Sequence, residues 1–105
     1  MILHVCSAAA WAAARTSGIY RAESLSSEGF IHFSRWSQLA GTVGRYYAGV
    51  EDLVVLVVDP SGLDVRVEAS PSTGESFPHL YEPLPVGAVV EVMPLEAALG
   101  RAAAG

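Results

Sequence analysis

The sequence predicts an α+β fold: a small, split, mostly antiparallel sheet with two helices packed on it. Three observations point there. Helix-forming stretches fall in the first half of the chain, at Ala8–Arg15 and Arg35–Ala48. Short apolar runs rich in valine crowd the second half, so strands follow one another without a regular alternation with helices. No internal repeat or linker divides the chain, and 105 residues suit one domain.

Met1–Cys6 (MILHVC) is a short apolar run and reads as the first strand. Ser7 is a good N-cap for the alanine-rich helix Ala8–Arg15, which Thr16-Ser17-Gly18 ends. Ile19 and Tyr20 start a brief extended segment, and the polar Ser24–Gly29 reads as a turn or loop. Phe30–Phe33 (FIHF) is the second clear strand. Ser34 is placed to cap the next helix, Arg35–Ala48, whose Trp36, Leu39, Ala40, Val43 and Tyr47 form one stripe. Gly49 follows where a left-handed residue is wanted.

Leu53–Val58 (LVVLVV) is apolar throughout, as expected of a strand buried on both faces, and Asp59–Gly62 turns the chain. Val65–Ala69 alternates, with Arg66 and Glu68 on one face as an expected surface pair. Ser70–Ser76 is a loop of turn formers, Phe77–Tyr81 is extended because Pro78 disfavours helix, and Ala88–Met93 is the last strand. Leu95–Ala104 reads as a terminal helix or a frayed tail.

Apolar residues make up 51% and charged residues 16%, the composition of a folded globule. Six Arg, eleven acids and no Lys leave a net charge of −5, which opposes general nucleic-acid binding, although Arg groups could hold a single phosphate. The lone Cys6 cannot form an internal disulfide, is expected to be buried and inert, and fits a reducing compartment. Met1–Ala14 lacks a basic segment and is broken by His4 and Trp11, and no run reaches the ~18 apolar residues of a membrane span. The expectation is a cytoplasmic protein with no membrane contact.

The chemistry rests on three histidines, His4, His32 and His79, each in a strand-like segment. Histidine is the side chain that titrates near neutrality, so three on one cleft suit phosphate binding, acid–base work or metal ligation. Their wide spacing fits no metal motif. His32, flanked by Ile31 and Phe33, is expected to be pinned and partly desolvated. His79, after Pro78 in a loop-like stretch, is expected to be the more accessible of the two. Ser34 and Arg35, at a predicted helix start, form a candidate anion site. Trp11, Trp36, Tyr46 and Tyr47 are expected mostly in the core.

The opening ILHV, the segment EGFIHFS and the run FPHLYEPLPVGAVVEVMPL resemble the DUF952 family over nearly the whole chain. Two positions depart from it: Phe33 stands where Cys is frequent, and Glu82 where Gly is frequent. Through that family the chain distantly resembles the ADP-ribosyltransferase-like fold. The resemblance implies a His on the first strand, a His or aromatic on the next and a third position, there often Glu, on a later strand. His4, His32 and His79 stand at these places in order. The RNA 2′-phosphotransferase branch also uses His at the second position and lacks the Glu. A carboxylate would stabilise an oxocarbenium ribose where a cationic His cannot, so His79 argues against a typical mono-ADP-ribosyl transferase.

The function this implies is binding of, or action on, a nucleotide, an NAD-derived molecule or another phosphorylated ligand. His4, His32 and His79 would be catalytic, Ser34, Arg35 and Tyr81 ligand-binding, and NAD or another nucleotide the cofactor class. A catalytically inert ligand-binding or interaction module is the alternative. A small metal-dependent hydrolase is the second.

Overall fold

A computed structural model describes all residues, Met1–Gly105. Its order is β1 Ile2–Ser7, α1 Ala8–Ser17, β2 Ile19–Tyr20, α2 Glu23–Ser27, β3 Ile31–His32, α3 Leu39–Tyr46, β4 Leu53–Val58, β5 Val65–Ala69, β6 Ser76–Leu80, β7 Leu84–Pro85, β8 Val89–Pro94 and α4 Leu95–Ala104. A 3₁₀ turn at Trp36–Gln38 leads into α3, and another at Val86–Ala88 precedes β8. The fold is mixed α and β, with four α-helices where two were expected.

Every strand pairing is antiparallel, and the strands fall into three small sheets, ordered β1-β4-β8, β2-β7 and β3-β6-β5. The sheet is therefore more divided than the expected single split sheet. An isolated bridge between Leu3 and Ser34 ties the first sheet to the third, with Leu3 N–H donating to the Ser34 carbonyl at 2.8 Å and Ser34 N–H returning a bond at 2.7 Å.

β4 lies in the middle of its sheet, and its all-apolar sequence follows from that position. Successive side chains point to opposite faces. Leu53, Val55 and Val57 join Leu3 and Val5 of β1 beneath Leu39 of α3 and Ala98 of α4. Leu56 and Val58 join Ile2 and Cys6 on the other face, with Ala14 of α1, Tyr20, Ile31, Leu80 and Leu84. Each large core side chain so buried contributes about 1.5–3 kcal/mol relative to exposure.

α1 begins and ends as its sequence predicts. Ser7 Oγ accepts from Ala10 N–H at 3.0 Å, and Gly18, at φ 87°, donates its N–H to the Ala14 carbonyl. The second predicted helix differs. Ser34 is not its cap: it extends the strand path and bridges to β1. The turn starts at Arg35, whose N–H donates to Gln38 Oε1 at 3.0 Å, and α3 proper spans only Leu39–Tyr46. Ser24–Gly29, expected as a loop, contains most of α2, and the two-residue β7 escaped the sequence reading. The terminal segment is the helix α4, seated against β4 and β8. Tyr46 is 61% exposed and so is not a core residue.

Candidate functional site

The strand pattern of FIHF builds the site. Phe30 and His32 point to one side of β3, while Ile31 and Phe33 point to the other, where both are buried. His32 is the direct cross-strand partner of His79 on β6, so the two rings rise from the same face. Their centroids lie 5.4 Å apart, edge to face. Phe30 stacks on His79 at 4.0 Å and 17° and meets His32 edge-on at 4.8 Å.

These rings border a cleft of about 620 Å³. β1 supplies Leu3, His4 and Val5 to its lining, the chain after β3 supplies Phe33 and Ser34, and α3 and its end supply Thr42, Tyr46 and Tyr47. Glu28, Phe77 and the loop residues Ser70–Ser72 complete the rim. His4, His32 and His79 all border this one cleft, and Ser34 is buried beside them with its hydroxyl 2.9 Å from that of Thr42.

The histidines do different work. His4 is buried, with Nδ1 2.6 Å from the His32 carbonyl and Nε2 2.8 Å from the Tyr20 hydroxyl. A carbonyl only accepts, so Nδ1 carries the proton and Nε2 accepts from Tyr20. Burial, opposed by the His32 carbonyl bond, lowers the His4 pKa to about 4. The ring is thus neutral and spends both nitrogens inside the protein. It has no lone pair free for a metal ion, which weakens a three-histidine zinc site. No group of three or more His, Cys, Asp or Glu side chains is arranged to hold a metal.

His32 and His79 reverse the expected exposures. The His32 side chain is 52% exposed and its Nε2 donates to Glu28 Oε2 at 3.0 Å. The His79 side chain is 9% exposed and its Nδ1 lies 2.9 Å from Glu68 Oε1. The reason is position in the sheet. β3 is an edge strand, whereas β6 runs between β3 and β5 and is covered from both sides.

Two further expectations are corrected. Arg35 does not reach the cleft: its guanidinium donates to the Ser76 carbonyl at 3.2 Å, a carbonyl that Gln38 Nε2 also binds at 2.7 Å. Arg66 and Glu68 do not pair as the chief surface contact. Arg66 bonds Asp64 at 3.1–3.2 Å and lies over the Tyr81 ring at 4.2 Å. Glu68 instead receives Tyr81 and His79, and those two bonds, Tyr81 first, hold its carboxyl below the usual range. Tyr81 therefore stands behind His79, off the cleft wall, and its bond to Glu68 raises its own pKa. Glu82 is spent on the backbone, accepting from Asp64 N–H at 2.6 Å. Cys6 is buried as expected, and burial pushes its thiol up to about 11.

Sequence reasoning missed Glu28, Phe30 and the role of Glu68. The i, i+4 spacing of Glu28 and His32 was readable, and so was the shared face of Phe30 and His32. The Glu68–His79 contact depends on strand register and was not.

This chain belongs to the family described as "Protein of unknown function (DUF952)", whose model matches residues 5–92. It is similar to the crystal structure of protein CC0527 from Caulobacter crescentus, at 36% identity over 87% of this chain and 82% of that one, with a TM-score of 0.79. The solution NMR structure of CC0527 matches at 37% identity, 87% and 80% coverage and a TM-score of 0.76. No curated protein matches the chain.

Proposed function

We propose that the cleft binds a nucleotide-type ligand, of which an NAD-derived molecule such as ADP-ribose is the best fit. The observation that carries this reading is the aromatic–imidazole wall: Phe30, His32 and His79 in mutual ring contact on one side of a cleft of about 620 Å³. Such a volume accommodates a ligand of this size, and flat faces favour a planar ring. Ser34, Thr42 and Ser72 line the same space, and hydroxyl side chains of this kind suit a ribose. The distant resemblance to the ADP-ribosyltransferase-like fold, with His4, His32 and His79 at the corresponding places, supports the same ligand class.

In this reading His4 is structural and shapes the floor, and His32 with Glu28 is the solvent-facing polar pair that meets the ligand. No arginine lines the cleft, so the charge clamp assigned to Arg35 is not carried over; Arg45 stands behind the wall. Its guanidinium carbon lies 5.8 Å from the Tyr46 ring centroid and 6.0 Å from that of Phe77, two residues on the cleft wall.

A melting-temperature screen against NAD, ADP-ribose, mononucleotides and divalent metals tests the reading. ADP-ribose or NAD at a hundred times its Kd stabilises by about 2.7 kcal/mol, and His32→Ala should reduce that gain. Stabilisation by zinc alone, or by none of these ligands, would reject it.

A further inference from the structure

Glu68 and His79 form a carboxylate–imidazole pair, and His79 lines the cleft. Glu68 Oε1 takes the Nδ1 side of the ring at 2.9 Å. The same oxygen receives the Tyr81 hydroxyl, and the Tyr81 ring lies under Arg66, so the carboxylate is fixed from behind. Phe30, stacked at 4.0 Å, holds the plane of the imidazole. His79 Nε2 has no partner within the protein. No buried side-chain nitrogen or oxygen lacks a partner, so Nε2 touches solvent, although the residue is only 7% exposed. His79 is among the residues that line the cleft.

We propose that Glu68 is a positioning residue that holds His79 as the Nδ1–H tautomer, so that Nε2 presents a lone pair to the cleft as the proton acceptor for a ligand or water hydroxyl. A carboxylate only accepts, so it selects the proton on Nδ1 and leaves Nε2 bare. The step is one proton transfer. An O–H bond breaks, an Nε2–H bond forms, and the imidazolium faces the Glu68 carboxylate. His32 is oriented the opposite way, with its Nε2 already given to Glu28. The two histidines therefore leave different ring nitrogens unbonded, Nδ1 of His32 and Nε2 of His79, and His79 is the base. This assignment rests on the ligand reading for the identity of the hydroxyl, but its tautomer test is made on the protein alone.

The experiment is long-range ¹⁵N–¹H correlation NMR of the imidazoles, together with the rate of carbethoxylation of His79 by diethyl pyrocarbonate, read by mass spectrometry. Wild-type His79 should be Nδ1–H and should react at Nε2. Glu68→Ala should shift His79 toward the Nε2–H tautomer and slow its modification at Nε2. Tyr81→Phe, which leaves the Glu68–His79 bond in place, should keep the tautomer and so controls for loss of packing. A wild-type Nε2–H tautomer would overturn the proposal, as would a Glu68→Ala protein whose tautomer and rate match the parent. A correct tautomer with no imidazole response to added ADP-ribose would leave Glu68 as the positioning residue and reject the ligand class instead.

Discussion

His4 shows how burial keeps a ring neutral while one hydrogen bond fixes its tautomer. Its Nδ1 must donate to the His32 carbonyl, so the Nε2 of the neutral ring accepts from Tyr20, and a proton added there would turn the Tyr20 hydroxyl from donor to acceptor. The native pKa near 4 lies below the unfolded value of 6.5, so the unfolded chain binds the proton first as pH falls. Stability from this group is complete above pH 6.5 and is lost progressively toward pH 4, on the order of 3 kcal/mol in all. Melting temperatures across that window should fall for the parent and fall much less for His4→Gln, which has no proton to bind. An equal slope in both would remove His4 as the source. The other two histidines separate by burial. His79→Ala should destabilise by about 1–3 kcal/mol, chiefly through lost stacking of the buried ring on Phe30. His32→Ala, half exposed, should stay within about 0.5 kcal/mol of the parent by denaturant titration. The flanking residues of FIHF misled because neighbours in a strand point away from each other. Ile31 and Phe33 cannot cover His32, whatever their hydrophobicity.

At the scale of elements, what the sequence made legible was what local chemistry determines. Leu53–Val58 and Val65–Ala69 have the predicted bounds, and Ser7 and Gly18 bracket α1 as their types require. Gly18 sits at φ 87°, where a Cβ is strained although nothing crowds the space. Gly18→Ala should therefore cost about 1 kcal/mol, read by chemical denaturation, and an unchanged midpoint would contradict the left-handed cap. The start of α3 was not legible. Serine is a favoured cap, but the backbone of Ser34 is committed to the bridge with Leu3, a partner 31 positions upstream that no local pattern reveals. The placing of β3 at an edge and β6 at the centre is equally non-local, and it is what exposes His32 and shelters His79.

Across the whole molecule, one apolar strand organises two cores. β4 gives alternate side chains to opposite faces, so the helices α3 and α4 pack on one side and α1 with the smaller strands on the other. Leu56, fully buried in the second of these, should cost about 2–5 kcal/mol when cut to Ala. No helix is long and apolar enough to cross a membrane. The cleft lies where β1 meets the β3-β6-β5 sheet and the end of α3, a place made by three elements distant in sequence. The three histidines were visible as candidates from the chain, and Glu28 and Phe30 were readable beside His32; the placing of Glu68 against His79 needed the register. The most direct test of the cleft as a nucleotide-type site is amide chemical-shift mapping with ADP-ribose. Perturbations should cluster on residues 28–34, 42–47, 70–72 and 77–79 and vanish in His32→Ala, whereas perturbations spread elsewhere, or none at millimolar ADP-ribose, would contradict it.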